Sequence, residues 1–427
     1  MSRKDSILAS LTLTKCNEFE ILTNQVGVLI HAGIVEDTAK AQIDIMAKHP
    51  SFWGKIAIMP DVHAGKGCVV GFTGKFRKSV IPSVVGVDIG CGVVTYRLKS
   101  TEIDFVWLDR VIREIIPLGF GSRPKHKAIT GIEDVFTYEA KTVIDICDRA
   151  GKLLVDLNLE KDMHKPHIQM GTLGGGNHFI EIEKGVDGQL YLTIHTGSRN
   201  FGLKIANYHQ KKAKLLMEEM NIHVPEDMEY LPMSSGGNEY IKDMKLAQEY
   251  AHYNRIAILK AILQRLNEEY DFERLIESVH NYISDRDGVI RKGAISAHKT
   301  ERLVIPLNMG AGIVLGIGKG NEDYNNSAPH GAGRLYGRKD LMRKLASGTF
   351  HSMDDYRNAM TGIYTTSVTE KTFDESPFAY KSYESLMPHL TETVEIIEVI
   401  KPVYNLKASE EIERHRNDNG HREKKGE

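Results

Sequence analysis

The sequence predicts an α+β fold organised as a single large mixed domain. Three observations carry this reading. Helical and strand-like segments alternate without the regular βα rhythm of a doubly wound sheet or a regular barrel. No segment recurs at a solenoid period. The 38 glycines are unevenly placed, clustering around 60–74, 86–92, 171–177, 310–320 and 331–337. A chain of 427 residues is long enough for two or three domains. Glycine loops spread this widely point instead to one site assembled from distant segments.

Residues 21–48 read as a β segment followed by a mixed apolar helix from about Val35 to Lys48. IAIMPDVHAGKGCVVGFTG reads as strand–loop–strand, and SVIPSVVGVDIGCGVVTYRL repeats that design around a glycine-flanked loop. A helix is expected over 104–118, starting near Asp104, and another over 132–157 after Gly131. HFIEIEKGVDGQLYLTIHTG predicts a hairpin turning at Asp187-Gly188. Helical spacing dominates from about 202 to 220 and over 239–280, the latter as a long helix and a shorter one divided near Tyr270-Asp271. Residues 303–318 return to strand-like runs, and HGAGRLYGRKDLMRKLA reads as a loop entering a helix. The domain is expected to span 1–409, with 410–427 a polar, disordered tail.

Composition excludes several classes. With 57 acidic and 55 basic side chains, the net charge of −2 gives no broad basic footprint for duplex DNA. A focused basic cleft for RNA remains compatible with a neutral total. No run approaches the roughly 20 apolar residues that span a bilayer. Cys16, Cys68, Cys91 and Cys147 form no CxxC pair and are too few for a disulfide framework. A soluble, cytoplasmic protein without a membrane partner is expected.

The chemistry-bearing residues are mostly histidines and their neighbours. Asp88 and Cys91 share a glycine-flanked turn that could aim a carboxylate and a thiolate at one point. His178 ends a glycine-rich loop, His195 follows an apolar strand, and His280 sits in VHNY. Together they offer oxygen, sulfur and nitrogen donors suited to Zn²⁺, Mn²⁺, Fe²⁺ or Co²⁺, and five ligands invite two ions bridged by the thiolate. A single histidine among 18 is more often a core or surface residue than a ligand.

In HGAGR, Gly331 and Gly333 permit close backbone approach to a ligand and Arg334 could pair with phosphate. His330 could serve there as nucleophile, general base or metal ligand, or the loop could be merely structural. GTLGGGN at 171–177 and GIGKGN at 316–321 look like weak phosphate cradles. Ser198 and Arg199 stand near His195, and Asp61, His63 and Lys66 share one loop, which favours a phosphate-bearing substrate. Tyr380, Lys381 and Lys407 could meet a base, although a solvent-facing lysine is the default.

MPDVHAGKG, VGVDIGCGV, GTLGGGNHFIEI, HTGSRNFG, VHNY, RKGA, HGAGR and DESPFAYK, in this order over most of 25–407, resemble the RtcB family of RNA-splicing ligases. The resemblance implies an RtcB-like catalytic domain with its active site in a central cleft. It implies joining of RNA 3′-phosphate or 2′,3′-cyclic phosphate ends to 5′-hydroxyl ends, using GTP and two Mn²⁺ ions. The reaction would pass through a guanylylated histidine, corresponding to His330, and an RNA-3′-pp-5′-G intermediate.

Asp88, Cys91, His178, His195 and His280 correspond to the metal ligands. Asn177, Glu181, Tyr380, Lys407 and the Ala332-Gly333 loop correspond to nucleotide contacts, with Arg334 and Asn308 beside them, and Asp61 falls near the RNA 3′ end. An activating accessory protein and a monomeric or homodimeric state are compatible with it. PLNMG, where Asn308 stands for a common serine, and NNSAP before HGAGR depart from the family pattern. They leave open an alternative: a divergent Mn²⁺-dependent phosphoesterase or nucleotidyl-transfer enzyme without efficient ligation.

Overall fold

In the computed structural model, which describes residues 26–407 apart from Ile34 and Ala128, period-two alternation orients the main sheet. Along Phe179–Lys184, Ile180 and Ile182 face the main hydrophobic core, and Phe179, Glu181 and Glu183 turn to the opposite face. Leu190–Thr196 repeats this: Leu190, Leu192 and Ile194 join the core, and Tyr191, Thr193 and His195 point the other way. The turn between these strands is closed by Gly188 N–H on Gly185 O, as DG predicts.

The sheet order is Arg302–Asn308, Gly312–Gly318, Val394–Lys407, Phe179–Lys184, Leu190–Thr196, Gly92–Arg97, Leu275–Val279, all antiparallel, with Tyr364–Thr365 added in parallel on Val394–Lys407. Its ends curl together: Val304 N–H donates to Ser278 Oγ at 2.9 Å and Arg302 to Leu275 O at 3.1 Å. The result is a near-closed barrel. Val93, Val304, Ile313, Leu315 and Ile400 fill part of its interior. The outer face packs on the helices Asn238–Arg265, Arg199–Glu219 and Ala140–Asp156, which supply much of the main core.

A smaller sheet, ordered Gly27–Ile30, Phe52–His63, Val70–Phe76, Val289–Lys292, Tyr282–Ile283, lies beside the barrel mouth. The whole is one mixed α+β domain, as expected. The proposed boundary at 409 and the polar tail lie outside the described residues.

Three expectations fail locally. SVIPSVV is not a strand of ordinary length, because Pro82 lacks a ladder donor and starts the helical turn Pro82–Val85, closed by Gly86 N–H on Pro82 O. The 239–280 segment holds no second α-helix. Asn267 takes a left-handed conformation (φ 56°), and Glu268 N–H closes on Leu263 O, ending the long helix. Leu275–Val279 then pairs with Gly92–Tyr96 as a barrel strand. The expected 132–157 helix divides into Thr130–Val135 and Ala140–Asp156. The helix expected to start near Asp104 does so, with that carboxylate accepting from Val106 and Trp107 N–H.

Candidate functional site

The barrel mouth and the smaller sheet enclose a cavity of about 340 Å³. His63, Asp88, Cys91, Asn177, Glu181, His195, His280, Asn308, His330, Ala332, Gly333, Arg334, Tyr380 and Lys407 all line it. Asp61 and His178 stand directly behind this surface, each bonded to a lining residue.

On one wall, Cys91 Sγ lies 3.2 Å from His195 Nε2 and 3.5 Å from His178 Nε2. Asp88 Oδ2 is 3.1 Å from His178 Nε2. Backbone carbonyls fix two rings: His178 Nδ1 meets Leu173 O at 3.0 Å and His195 Nδ1 meets Asn177 O at 3.3 Å. With its Nδ1–H donating, His195 keeps Nε2 as a lone-pair donor toward the sulfur. The His280 ring stands 5.3 Å from that of His195, and its buried Nδ1 has no hydrogen-bond partner.

Burial holds His195 and His280 well below the usual histidine range, and so neutral. Burial, reinforced by the Asp88 charge, pushes the Cys91 thiol well up. Burial would also raise Asp88, but His178 holds its carboxyl down at about 2. Such a set fits a divalent cation. Cys91, His178 and His195 present ligand atoms within 4.8 Å of one another, an orphaned imidazole nitrogen stands beside them, and a bound cation would relieve the thiolate's cost.

Asn281, absent from the sequence reading, ties this wall together. Its Nδ2 donates to Asp88 O at 3.2 Å and its Oδ1 accepts from Gly293 N–H at 3.0 Å. Arg255, fully buried, donates to Gly90 O and Thr196 O at 2.8 and 2.9 Å while pairing with Glu277. Lys292, half-buried in the small sheet, also lines the cavity.

Next to this wall stands His330, its ring 4.8 Å from that of His280. His330 Nδ1 is 2.7 Å from Asp61 Oδ2, and Asp61 is fully buried. Gly333 makes this pair sterically feasible. At φ +73° a Cβ there would stand 2.3 Å from Asp61 O. Its glycine therefore serves the approach of chain to chain. Lys381 is not a base-stacking or solvent-facing lysine. Its Nζ donates to Pro60 O and Val62 O, each at 3.0 Å, pinning the strand that carries Asp61.

The opposite wall is a charge network. Glu375, 2% exposed, receives Lys407 Nζ at 3.1 Å, Tyr380 OH at 2.6 Å and Arg334 Nη1 at 3.2 Å. Arg338 adds a fourth contact at 2.5 Å. Burial opposes ionisation of Glu375, yet Lys407, Arg338 and Arg334 hold it well below the carboxylate range. Arg334 lines the cavity, but its guanidinium is engaged by Glu375, Tyr380 and Asp374 O. Sequence reasoning missed Glu375, although it lies within the DESPFAYK motif.

The glycine segments behave unequally. GTLGGGN delivers Asn177 and His178, but Gly174 wraps the Arg199 guanidinium, where a Cβ would be 1.7 Å from Nη1. GIGKGN lies on the barrel strand Gly312–Gly318 and its turn, away from the cavity lining. Ser198 is buried without a partner for its hydroxyl, and Lys66 is exposed. Asn308 Oδ1 caps its own loop through Gly310 and Ala311 N–H. In NNSAP, the Asn325 and Asn326 carbonyls and the Ser327 hydroxyl accept from fully buried Arg291. Both departures thus satisfy local backbone and core groups.

The tRNA-splicing ligase RtcB family matches residues 42–408, nearly the whole described chain. The chain belongs to the RtcB family. An RNA-splicing ligase RtcB from Escherichia coli is 30% identical over 397 residues, covering 87% of this chain and 95% of the relative. tRNA-splicing ligases RtcB from Thermococcus kodakarensis (27% over 427 residues; 82% and 87% covered) and Nanoarchaeum equitans (28% over 476 residues; 90% and 95% covered) are also similar. RtcB family membership and the His/Cys cluster together support a metal-dependent enzyme of ligase type. Among the described residues no helix is long and apolar enough to cross a membrane.

Proposed function

We propose that this chain is a GTP-dependent RNA ligase that joins 3′-phosphate or 2′,3′-cyclic phosphate ends to 5′-hydroxyl ends through guanylylated His330. One observation carries the reading: His330 Nδ1 is held by buried Asp61 at 2.7 Å, beside the metal-ligand wall of the same cavity. With the proton on Nδ1, Nε2 keeps its lone pair for the GTP α-phosphorus, and the developing imidazolium is stabilised by the Asp61 carboxylate. Asp88, Cys91, His178, His195 and His280 would hold two Mn²⁺ ions, whose contribution when bound is to neutralise phosphate oxygens.

The remaining roles are those the resemblance implies, and the cavity lining supports them. Asn177, Glu181, Tyr380 and Lys407 bind the nucleotide, with Ala332, Gly333 and Asn308 shaping the pocket and Arg334 holding Glu375. His330 attacks, the bond to pyrophosphate breaks, and GMP remains on Nε2. A 2′,3′-cyclic phosphate is first opened by water, which breaks the P–O2′ bond, and an oxygen of the 3′-phosphate then takes GMP from His330. The 5′-hydroxyl attacks that activated phosphorus and expels GMP. Holding the reacting groups in one cavity makes these steps effectively intramolecular.

The test is incubation with α-labelled GTP and Mn²⁺, followed by a joining assay on RNAs of defined ends. The expected result is an acid-labile label on the wild type, none on His330→Ala, and joining only of phosphate-terminated 3′ ends. Release of phosphate from RNA with no labelled protein would sink the ligase reading in favour of the phosphoesterase.

A further inference from the structure

We propose that Glu183, outside the cavity lining, is the positioning residue that fixes Glu181 as an ionised, base-reading acceptor, by donating one shared proton to it. The proposal rests on the GTP-binding reading above and adds a specificity determinant to it. Glu181 and Glu183 are two apart on Phe179–Lys184, so their side chains share one face. They are 3% and 0% exposed. Glu181 Oε1 accepts from the Asn405 amide. Glu183 Oε2 accepts from Thr193 Oγ1 at 2.7 Å, which itself lies 3.0 Å from Thr95 Oγ1.

The two buried carboxyl groups lie side by side on that face and act on each other, and Glu183 Oε1 has no N–H or O–H donor. Two carboxylates have no hydrogen to share, so this contact requires a proton. Its place is set by the surroundings. Glu181 faces Lys407 and the Asn405 amide, both of which favour the anion. Glu183 lies opposite Tyr191 in the sheet, and no cation is among the groups acting on it. Lys407 is itself bonded to Glu375. His195, the other titratable group on this face of Leu190–Thr196, is neutral. Burial raises both acids, and the Glu181 charge raises Glu183 further.

The consequence concerns base choice. Guanine presents N1–H and the 2-amino group on one edge, and an ionised carboxylate accepts from both. Adenine presents a lone pair at N1, which the same carboxylate repels. With the proton on Glu183, Glu181 keeps its acceptor character and its orientation, and the pocket prefers guanine.

The test uses full-length Glu183→Leu and Glu183→Gln, with GTP, ITP and ATP as probes and self-guanylylation followed against pH. In Glu183→Leu, KM for GTP is expected to rise roughly ten-fold, the loss of one hydrogen bond to a charged group, with the change in KM rather than kcat. The GTP-over-ATP preference falls by the same factor, and the acid limb of GTP binding moves to higher pH because Glu181 has lost its donor. ITP, lacking the 2-amino group, is less affected. Glu183→Gln, whose amide can donate, restores the preference.

A folded Glu183→Leu with wild-type preference and pH profile would overturn the proposal, as would Glu183→Gln behaving like Glu183→Leu. Infrared spectroscopy of the wild type tests the proton directly: a protonated-carboxyl band at neutral pH that Glu183→Gln abolishes is expected, and its absence from the wild type is fatal. A wild type that shows the band yet binds no GTP overturns the nucleotide reading and leaves the shared proton standing.

Discussion

The two walls of the cavity are built on different physics. The metal-ligand wall places imidazoles and a thiol, oriented by backbone carbonyls such as Leu173 O and Asn177 O. The opposite wall, proposed above to bind the nucleotide, is a side-chain network in which buried Glu375 gathers Lys407, Arg334, Arg338 and Tyr380. The first wall is held by the fold and suits a cation. The second carries its own compensating charges and is expected to hold its shape with the cavity empty. Disrupting the second should therefore cost folding stability, and disrupting the first should cost metal.

The largest effect is expected from Glu375→Gln. It leaves Lys407, Arg334 and Arg338 without their common anion, a loss of about 3–5 kcal/mol for a broken buried ion pair. Thermal unfolding at neutral pH should show a clearly lowered Tm. Because the folded Glu375 carboxyl is held below its unfolded value, its contribution is complete above about pH 4.3 and fades as pH falls toward the folded value. The Tm difference between variant and wild type should therefore shrink in acid. A difference that is flat with pH would show that Glu375 is not the anion of this wall.

Cys91→Ser tests the other wall. Co²⁺ titration should lose the thiolate-to-metal charge-transfer band, and affinity should fall roughly 100-fold, about 2.7 kcal/mol. Folding of the cation-free protein should barely change, because the hydroxyl replaces a small buried thiol. A large Tm loss without cation would mean the sulfur is a core group and would blur the contrast.

These walls also differ in how far the sequence reveals them. Asp88 and Cys91 share one turn, and His178 and His195 flank a hairpin that DG marks, so the ligand wall is legible from local motifs. Barrel-face alternation in FIEIEK and LYLTIHT is equally plain. The opposite wall is only partly so: Arg334, Tyr380 and Lys407 stand out in their motifs, but the acid that gathers them does not. Glu375 is one acid among 57, and its partners come from positions 334, 338, 380 and 407. Only the register of the long strand Val394–Lys407, which sets Lys407 opposite Phe179, brings Lys407 into reach. Lys381 misleads for the same reason, since its carbonyl partners lie some 320 residues away in sequence. The strand at Leu275–Val279 also needs tertiary pairing to overrule its helical spacing.

The smallest effect separates network geometry from network charge. Tyr380→Phe removes the hydroxyl that donates to Glu375 at 2.6 Å and meets Arg334 at 3.3 Å, and it leaves every charge in place. The ring over the Arg334 guanidinium is retained. Loss of one hydrogen bond to an ionised acceptor predicts a stability change of about 1.5 kcal/mol, about half the least expected for Glu375→Gln. KM for GTP should rise by only a few-fold, because Lys407 stays bonded to Glu375, and Co²⁺ affinity should not move. If Tyr380→Phe instead matches Glu375→Gln in Tm, the wall is held by its hydroxyl geometry and the charge account of it fails. If it weakens Co²⁺ binding as well, the two walls are coupled and cannot be treated as separate devices.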